Sequence, residues 1–209
     1  MKSVFDPASQ HWDVDSKIVA ALERLAEAIR VLLWTENRET RLSPIQMQFL
    51  VHCFFQPRER RTISQLAEFF NLTPATVSDA VRVLETKGFL TRESDPDDRR
   101  VAYLNLTPSG EAIADRVSLW AEPMRRSLEG IDASKKLATM ETLMEMIAKL
   151  YEWRVISVAQ MCIVCGNFHE NPSSDETAPY YCALREQPIE ANQLRLSCPG
   201  HRLLRGTAR

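Results

Sequence analysis

The chain has 209 residues, 44% of them hydrophobic and 26% charged, with a formal net charge of −2. That is enough apolar material for a buried core, as one domain of ordinary size or as a domain with an appendage, and we favour the second. A charge so near zero exerts no global pull on nucleic acid; no apolar run approaches the roughly 20 residues that span a bilayer, and no basic start leads into an apolar stretch, so a cytoplasmic chain without a membrane partner is expected.

Residues 1–14 show no clear period. From about Asp15 to Asn37 the spacing predicts a helix, with Ile18, Leu22, Leu25, Ile29 and Leu32 stepping by four, three, four and three residues. Such a heptad-like seam suits helix-to-helix packing, within or between subunits. Ser43-Pro44 opens the next helix, to about Phe55, with Ile45, Met47, Phe49, Leu50 and Phe54 as its apolar set. Cys53, alone on that helix, reads as a small buried hydrophobe, and His52 has no ligand partner at a matching spacing. Arg58-Glu59-Arg60-Arg61 is a short basic link that can reach backbone phosphate.

Thr62-Ile63-Ser64-Gln65 has the form of a capping box, and Ile63, Leu66, Ala67 and Phe70 mark a short helix behind it. Asn71-Leu72 makes a brief turn. Thr73 then caps a second helix, Pro74 supplies a preset φ at its start, and Gly88 ends it. Val77, Ala80, Val81 and Leu84 should face a core. Thr76, Ser78, Asp79 and Arg82 are left outside, short hydrogen-bonding groups followed by a long cation, as a helix entering a major groove requires. A merely solvated helix has the same look, and the neighbouring segments decide between the two.

Downstream, Ser94-Asp95-Pro96-Asp97-Asp98 is a strong turn signal between segments that can pair as strands, with Ala102, Leu104 and Leu106 alternating toward the core. A hairpin directly after a groove-facing helix is a wing. Arg99 and Arg100 near its tip can reach phosphate or pair with Asp97 or Asp98, and one of each is compatible. Basic and acidic residues balance between Arg58 and Arg100, so geometry and not charge points to DNA.

Helix, turn, helix and then DPDDRRVAYLNLTPSG resembles the MarR family of winged helix-turn-helix repressors. The wing of that family carries an Asp-x-Arg pair and then a Leu-Thr-x-x-Gly run, matched by Asp98 and Arg100 and by Leu106, Thr107 and Gly110. The resemblance extends from about Lys17 to Ile156 and is most specific in the wing. It implies a mainly α fold with a small β wing and a homodimer on a palindromic operator in double-stranded DNA. Thr73, Thr76, Ser78 and Arg82 would lie near bases or phosphates and Arg99 and Arg100 in the flanking minor groove. Asp79 departs from a purely basic or neutral contact face; it can accept from a cytosine amine or pair with Arg82.

Thr107-Pro108 caps a helix expected through about Leu128, with a kink near Pro123. Asp132 or Ser134 starts the last long helix. Its stripe of Leu137, Met140, Leu143, Met144, Ile147, Leu150 and Tyr151 continues in pattern through Val155, Ile156 and Met161. The resemblance makes this helix and the first long one the dimer interface.

The chain then changes character. Cys162, Cys165, Cys182 and Cys198 give C-x2-C-x16-C-x15-C among prolines and serines that include Pro172, Ser173 and Ser174, a loop-rich segment that needs a staple. Reduced thiols in a cytoplasmic protein point to metal before disulfide. Four thiolates suit tetrahedral zinc or an iron–sulfur cluster. The two isolated cysteines, the last followed by proline, favour the iron–sulfur cluster; Zn2+ is the alternative and a metal-free disulfide switch the third choice. His169 and His201 are reserve ligands.

The expected organisation is an N-terminal arm and dimerisation helix (1–37), a winged helix-turn-helix (38–110), dimerisation helices (111–161) and a four-cysteine module with a flexible tail (162–209). The functional expectation is a redox- or iron-responsive repressor. Its cluster, at the end of the dimerisation helix, would change how the subunits' helices cross and so the spacing of recognition helices, set by the duplex at about 34 Å. Alternatively zinc is structural and a small aromatic or lipophilic acid binds between helices beside Phe49, Phe54, Phe55, Phe69 and Phe70. An electron-transfer or metal-carrier protein is a third reading. No hydrolase triad or phosphate-binding glycine loop is present, so an enzyme is not expected.

Overall fold

The computed structural model describes residues 3–98, 100–171 and 177–202. Arg99, Pro172, Ser173 and Ser174 therefore lie outside the described residues, as does the tail from residue 203. A short helix α1 (Pro7–Trp12) leads into α2 (Val14–Thr40). Asp13 caps α2 by accepting from the Asp15 and Ser16 amides, and Arg41 in the left-handed region (φ 54°) ends it. Among α2 residues only Ser16 and Leu33 are buried. Ile18 and Leu25 are 37% and 50% exposed, whereas Ile29 packs against the main core, so the seam expected from their spacing is open at Ile18 and Leu25 and covered at Ile29.

Four helices, α3 (Pro44–Phe55), α4 (Ile63–Phe69), α5 (Pro74–Thr86) and α6 (Pro108–Ser118), surround the first core together with the hairpin β1 (Leu90–Ser94) and β2 (Ala102–Leu106). Side-chain caps start each helix: Ser43 forms a full capping box with Gln46, and Thr62, Thr73 and Thr107 accept from the amides three residues on. Met47, Phe49, Leu50, Leu66, Val77, Val81, Leu84 and Leu104 are almost wholly excluded from water, each worth about 1.5–3 kcal/mol of transfer free energy. The hairpin is antiparallel with Leu90 opposite Leu106 and Ser94 opposite Ala102. The Leu104 amide also donates to the Arg61 carbonyl at 2.7 Å, which ties the wing to the residues just before α4.

The helix expected to run to Leu128 is broken. It stops at Ser118, passes through a 3-10 turn (Leu119–Ala121) and restarts as α7 (Glu122–Ser127), where Pro123 sits in the first turn and its missing N–H costs nothing. The last long helix, α8 (Ala133–Glu152), is capped by Asp132. Its apolar pattern does not continue through Met161: Arg154 takes a positive φ (58°), the Val155 amide closes back on the Leu150 carbonyl at 2.9 Å, and the chain reverses. Met161 is buried all the same, because the returning segment packs on α8.

That return builds a second core of Met144, Ala159, Met161, Ile189 and Leu194. Over it lie the 3-10 turn Cys162–Val164 and an antiparallel sheet of β3 (Phe168–Glu170), β4 (Tyr180–Cys182) and β5 (Gln187–Ile189), in the order β3-β4-β5. The cysteine segment is thus a small sheet sharing an apolar core with α8, not an isolated run of loops. Among the described residues no helix is long and apolar enough to cross a membrane.

Candidate nucleic-acid interface and four-cysteine site

α5 buries Val77, Val81 and Leu84 and turns Thr73, Thr76, Asp79 and Arg82 outward, with Ser78 half-buried. Thr73 accepts from the Thr76 amide at 3.2 Å and its hydroxyl meets that of Thr76 at 2.8 Å, so both hydroxyls stand at the N-terminal end of the helix. Asp79 pairs with Arg82 across one turn at 3.3 Å, both about three-quarters exposed. An exposed pair of this kind is weak and leaves the guanidinium available.

The wing tip is organised by Asp95, which the sequence marked only as a turn residue. Its Oδ1 accepts from the Asp97 and Asp98 amides at 2.8 and 3.0 Å, and its Oδ2 accepts from the Tyr103 hydroxyl at 2.9 Å. The two amides lower the Asp95 pKa most, and the phenol adds to this. Arg100 is 89% exposed and forks onto Asp98 through Nε and Nη2, both at 3.0 Å. The Asp-x-Arg pair therefore holds one arginine at the hairpin tip.

The basic link before α4 is engaged within the chain. Arg58 pairs with Glu93 at 3.0 Å and lies over the Tyr103 ring, 4.3 Å from its centroid. Arg61 donates to the Gln56 carbonyl at 2.6 Å. Arg60 donates from Nη2 to the Pro199 carbonyl at 2.8 Å and from Nη1 to the Gln160 side chain. Its carbonyl meets His52 Nε2 at 3.1 Å. His52 is buried and its pKa is lowered chiefly by that burial. The two phenylalanines of α4 and its cap meet it edge to face, Phe69 at 4.7 Å and Phe70 at 5.7 Å between ring centroids, while Phe49 meets Phe70 at 5.1 Å. These rings fill space among α3 and α4, although Phe55 stays 65% exposed. Cys53 is wholly buried, and burial pushes its thiol up to about 12.

The four remaining cysteines come together. All line one cavity of about 20 Å3, shared with Phe168, Leu184 and Ile189, and Cys162, Cys182 and Cys198 also line an adjoining cavity of about 360 Å3 with Arg185 and Arg195. The Arg195 amide donates to Cys162 Sγ at 3.3 Å and the Arg202 amide to Cys165 Sγ at 3.4 Å, bonds that favour thiolate. Burial pushes the Cys162 thiol up, the Arg195 amide opposes this, and the three neighbouring thiols add to the rise. Among the described residues no three His, Cys, Asp or Glu side chains gather at the spacing of a single metal ion. His169 is exposed on β3. His201 lies near the Val164 backbone, its pKa lowered by burial, and among the described residues its buried Nε2 has no hydrogen-bond partner.

Known proteins match this arrangement at the winged helix. Residues 57–102 fit the model of the MarR family. The uncharacterized HTH-type transcriptional regulator YdcH of Bacillus subtilis (strain 168) is 37% identical over 71 residues, 33% of this chain and 48% of that protein; the chain thus spans about half the length of that relative. Among solved structures, a MarR-family transcriptional regulator from Silicibacter pomeroyi aligns with a TM-score of 0.55 at 25% identity, over 66% of this chain and 92% of that one. Streptococcus pneumoniae FabT in complex with DNA aligns with a TM-score of 0.59 at 23% identity, over 66% of this chain and 97% of that one, and shares the fold. These proteins are named as transcriptional regulators or solved on DNA, not as enzymes. Residues 57–102 thus match the MarR family by sequence, and about two thirds of the chain shares the winged helix-turn-helix fold of a MarR-family structure.

Proposed function

We propose that the protein is a transcriptional regulator that binds a palindromic operator in double-stranded DNA as a homodimer and represses from it. The observation that carries this is the joint presentation of Thr73, Thr76 and Arg82 on α5 and of Arg100 at the wing tip, all exposed on one winged helix. Short hydroxyl groups near the start of a helix suit base edges and phosphates, and a wing arginine suits a narrow minor groove. The exposed Ile18 and Leu25 of the α2 seam support the dimer. The test is selection from random duplexes with the purified protein, followed by footprinting. An inverted repeat with half-sites one helical turn apart is the expected result, and a non-repeating site or no enrichment would overturn it.

The cysteines are proposed to hold an iron–sulfur cluster whose state gates DNA binding. Support comes from four thiols around a common cavity and from Arg185 and Arg195 beside it, whose charges offset that of a thiolate-ligated cluster. When bound, such a group supplies one-electron redox chemistry and sensitivity to iron supply. The alternative is structural Zn2+, favoured by the small cavity common to all four cysteines and by the amide bonds to Cys162 and Cys165, with a small aromatic acid as effector. Metal and sulfide analysis with a visible spectrum on protein purified without oxygen separates them: brown protein with iron and sulfide supports the cluster, and colourless protein with one zinc per chain replaces it.

A further inference from the structure

The two halves of the chain are joined at a few directional contacts. Arg60, in the 3-10 turn that precedes α4, reaches the Pro199 carbonyl and the Gln160 side chain, partners 139 and 100 residues away. Gln160 in turn accepts the Cys198 amide through its own carbonyl at 2.9 Å. The guanidinium thus closes a ring that contains the turn carrying the last cysteine. A second contact lies on the helix-turn-helix: the Ser157 hydroxyl is within reach of Asn71 Oδ1 at 2.9 Å and of the Glu68 carbonyl at 3.1 Å. Asn71 holds the left-handed turn (φ 53°) between α4 and α5.

We propose that Arg60 is a positioning residue that makes the Cys198 turn part of the DNA-binding domain, so that the four-cysteine site is coupled to α4 and α5 within one chain through Arg60 and Ser157. This rests on the reading of the cysteines as a gating site. It replaces the expected route along the dimerisation helix, because α8 ends at Glu152 and the segment that follows folds back onto the helix-turn-helix. The apolar contacts between the module and α8 are non-directional and tolerate sliding. The Arg60 contacts do not: a planar fork holding two acceptors loses both when the Cys198 turn moves by an ångström or so. Two residues beyond Arg60, Thr62 caps α4, and the Arg61 carbonyl holds Leu104 of the wing. Motion of the turn is therefore delivered to both parts of the DNA-binding surface.

Amide hydrogen exchange on the full chain purified without oxygen tests this, with iron, zinc and sulfide measured on the same samples. Arg60→Ala and Gln160→Ala should each speed exchange roughly tenfold in residues 62–72 as well as in residues 195–202, the loss expected of a charge-assisted hydrogen bond. Arg60→Lys, which keeps the charge without the fork, should restore part of the protection. Cys198→Ser should accelerate residues 62–72 to the same extent, and the double variant with Arg60→Ala no further. Acceleration confined to residues 195–202 would overturn the coupling, and so would a Cys198→Ser protein that loses its metal while residues 62–72 keep the wild-type rate. Protein that carries neither metal nor sulfide but responds to Arg60→Ala in both segments would sustain the contact and remove the cluster reading.

Discussion

Asp95 closes the wing turn with two amides and a phenol, where a tighter turn would call for glycine. Asp95→Ala is expected to open the tip, and trypsin should then cut after Arg100 several-fold faster, while Tyr103→Phe, which removes one bond of three, has a smaller effect. The pH dependence has a definite sign. Asp95 and Asp98 both have pKa values below the ordinary carboxylate value in the folded chain, so their contribution is present above about pH 4 and is lost as pH falls through the lowered values. Protection of the wing amides should fall there and nowhere near neutrality. On α5, Arg82→Ala should reduce the slope of log affinity against log salt by about one, uniformly across DNA sequences, if the guanidinium meets phosphate. Asp79→Asn should raise affinity by freeing Arg82. The sequence showed that α5 turns Thr76, Asp79 and Arg82 outward, because helical spacing decides it locally, although Ser78, expected beside them, is half-buried. It left Asp79 open, and the structure pairs it with Arg82.

Gly110 shows why an element can demand one residue. It lies in the first turn of α6, and a Cβ there would meet the Phe89 carbonyl oxygen at 1.9 Å. Thr107 and Ser109 close the same joint through hydroxyl bonds to the Gly88 carbonyl at 2.6 and 3.0 Å. The Leu-Thr-x-x-Gly run is therefore a seam between α6 and the α5–β1 connection, and Gly110→Ala should cost about 1–3 kcal/mol in urea unfolding. In α3, Cys53 should resist iodoacetamide at pH 8 in the folded chain, whereas the partly exposed Cys162, Cys182 and Cys198 react faster in metal-chelating buffer. Starts of elements were legible because Ser43, Thr62, Thr73, Thr107 and Asp132 act on amides two or three residues away. The end of α8 was not, since the apolar spacing runs on past Glu152 and the reversal uses Arg154 in a conformation usually reserved for glycine.

At the scale of the molecule, α2 carries apolar side chains that its own chain leaves open, Ile18 and Leu25 at heptad spacing on one face, 37% and 50% exposed. Leu25→Glu should yield a monomer by sedimentation velocity and lose binding to a two-half-site duplex far more than to a single half-site. The winged helix was readable from the sequence as a unit because its caps, turn and hairpin are consecutive. The docking of the cysteine segment was not. Nothing local in Arg60 or Ser157 distinguishes them from solvated residues, and the second core joins Met144 to Ile189 and Leu194 across a span that no periodicity reports.

The Arg60 contact also sets an order of events in time. Its acceptor lies 139 residues downstream, whereas the hairpin and helices of the winged domain close over short stretches, and closure over long spans is slow. At about 5–20 residues per second, a ribosome finishes the recognition helix and wing several seconds before it translates Pro199. Each new chain thus begins life with a complete winged helix and no latch, and the docking of its C-terminal segment arrives as a late step of maturation.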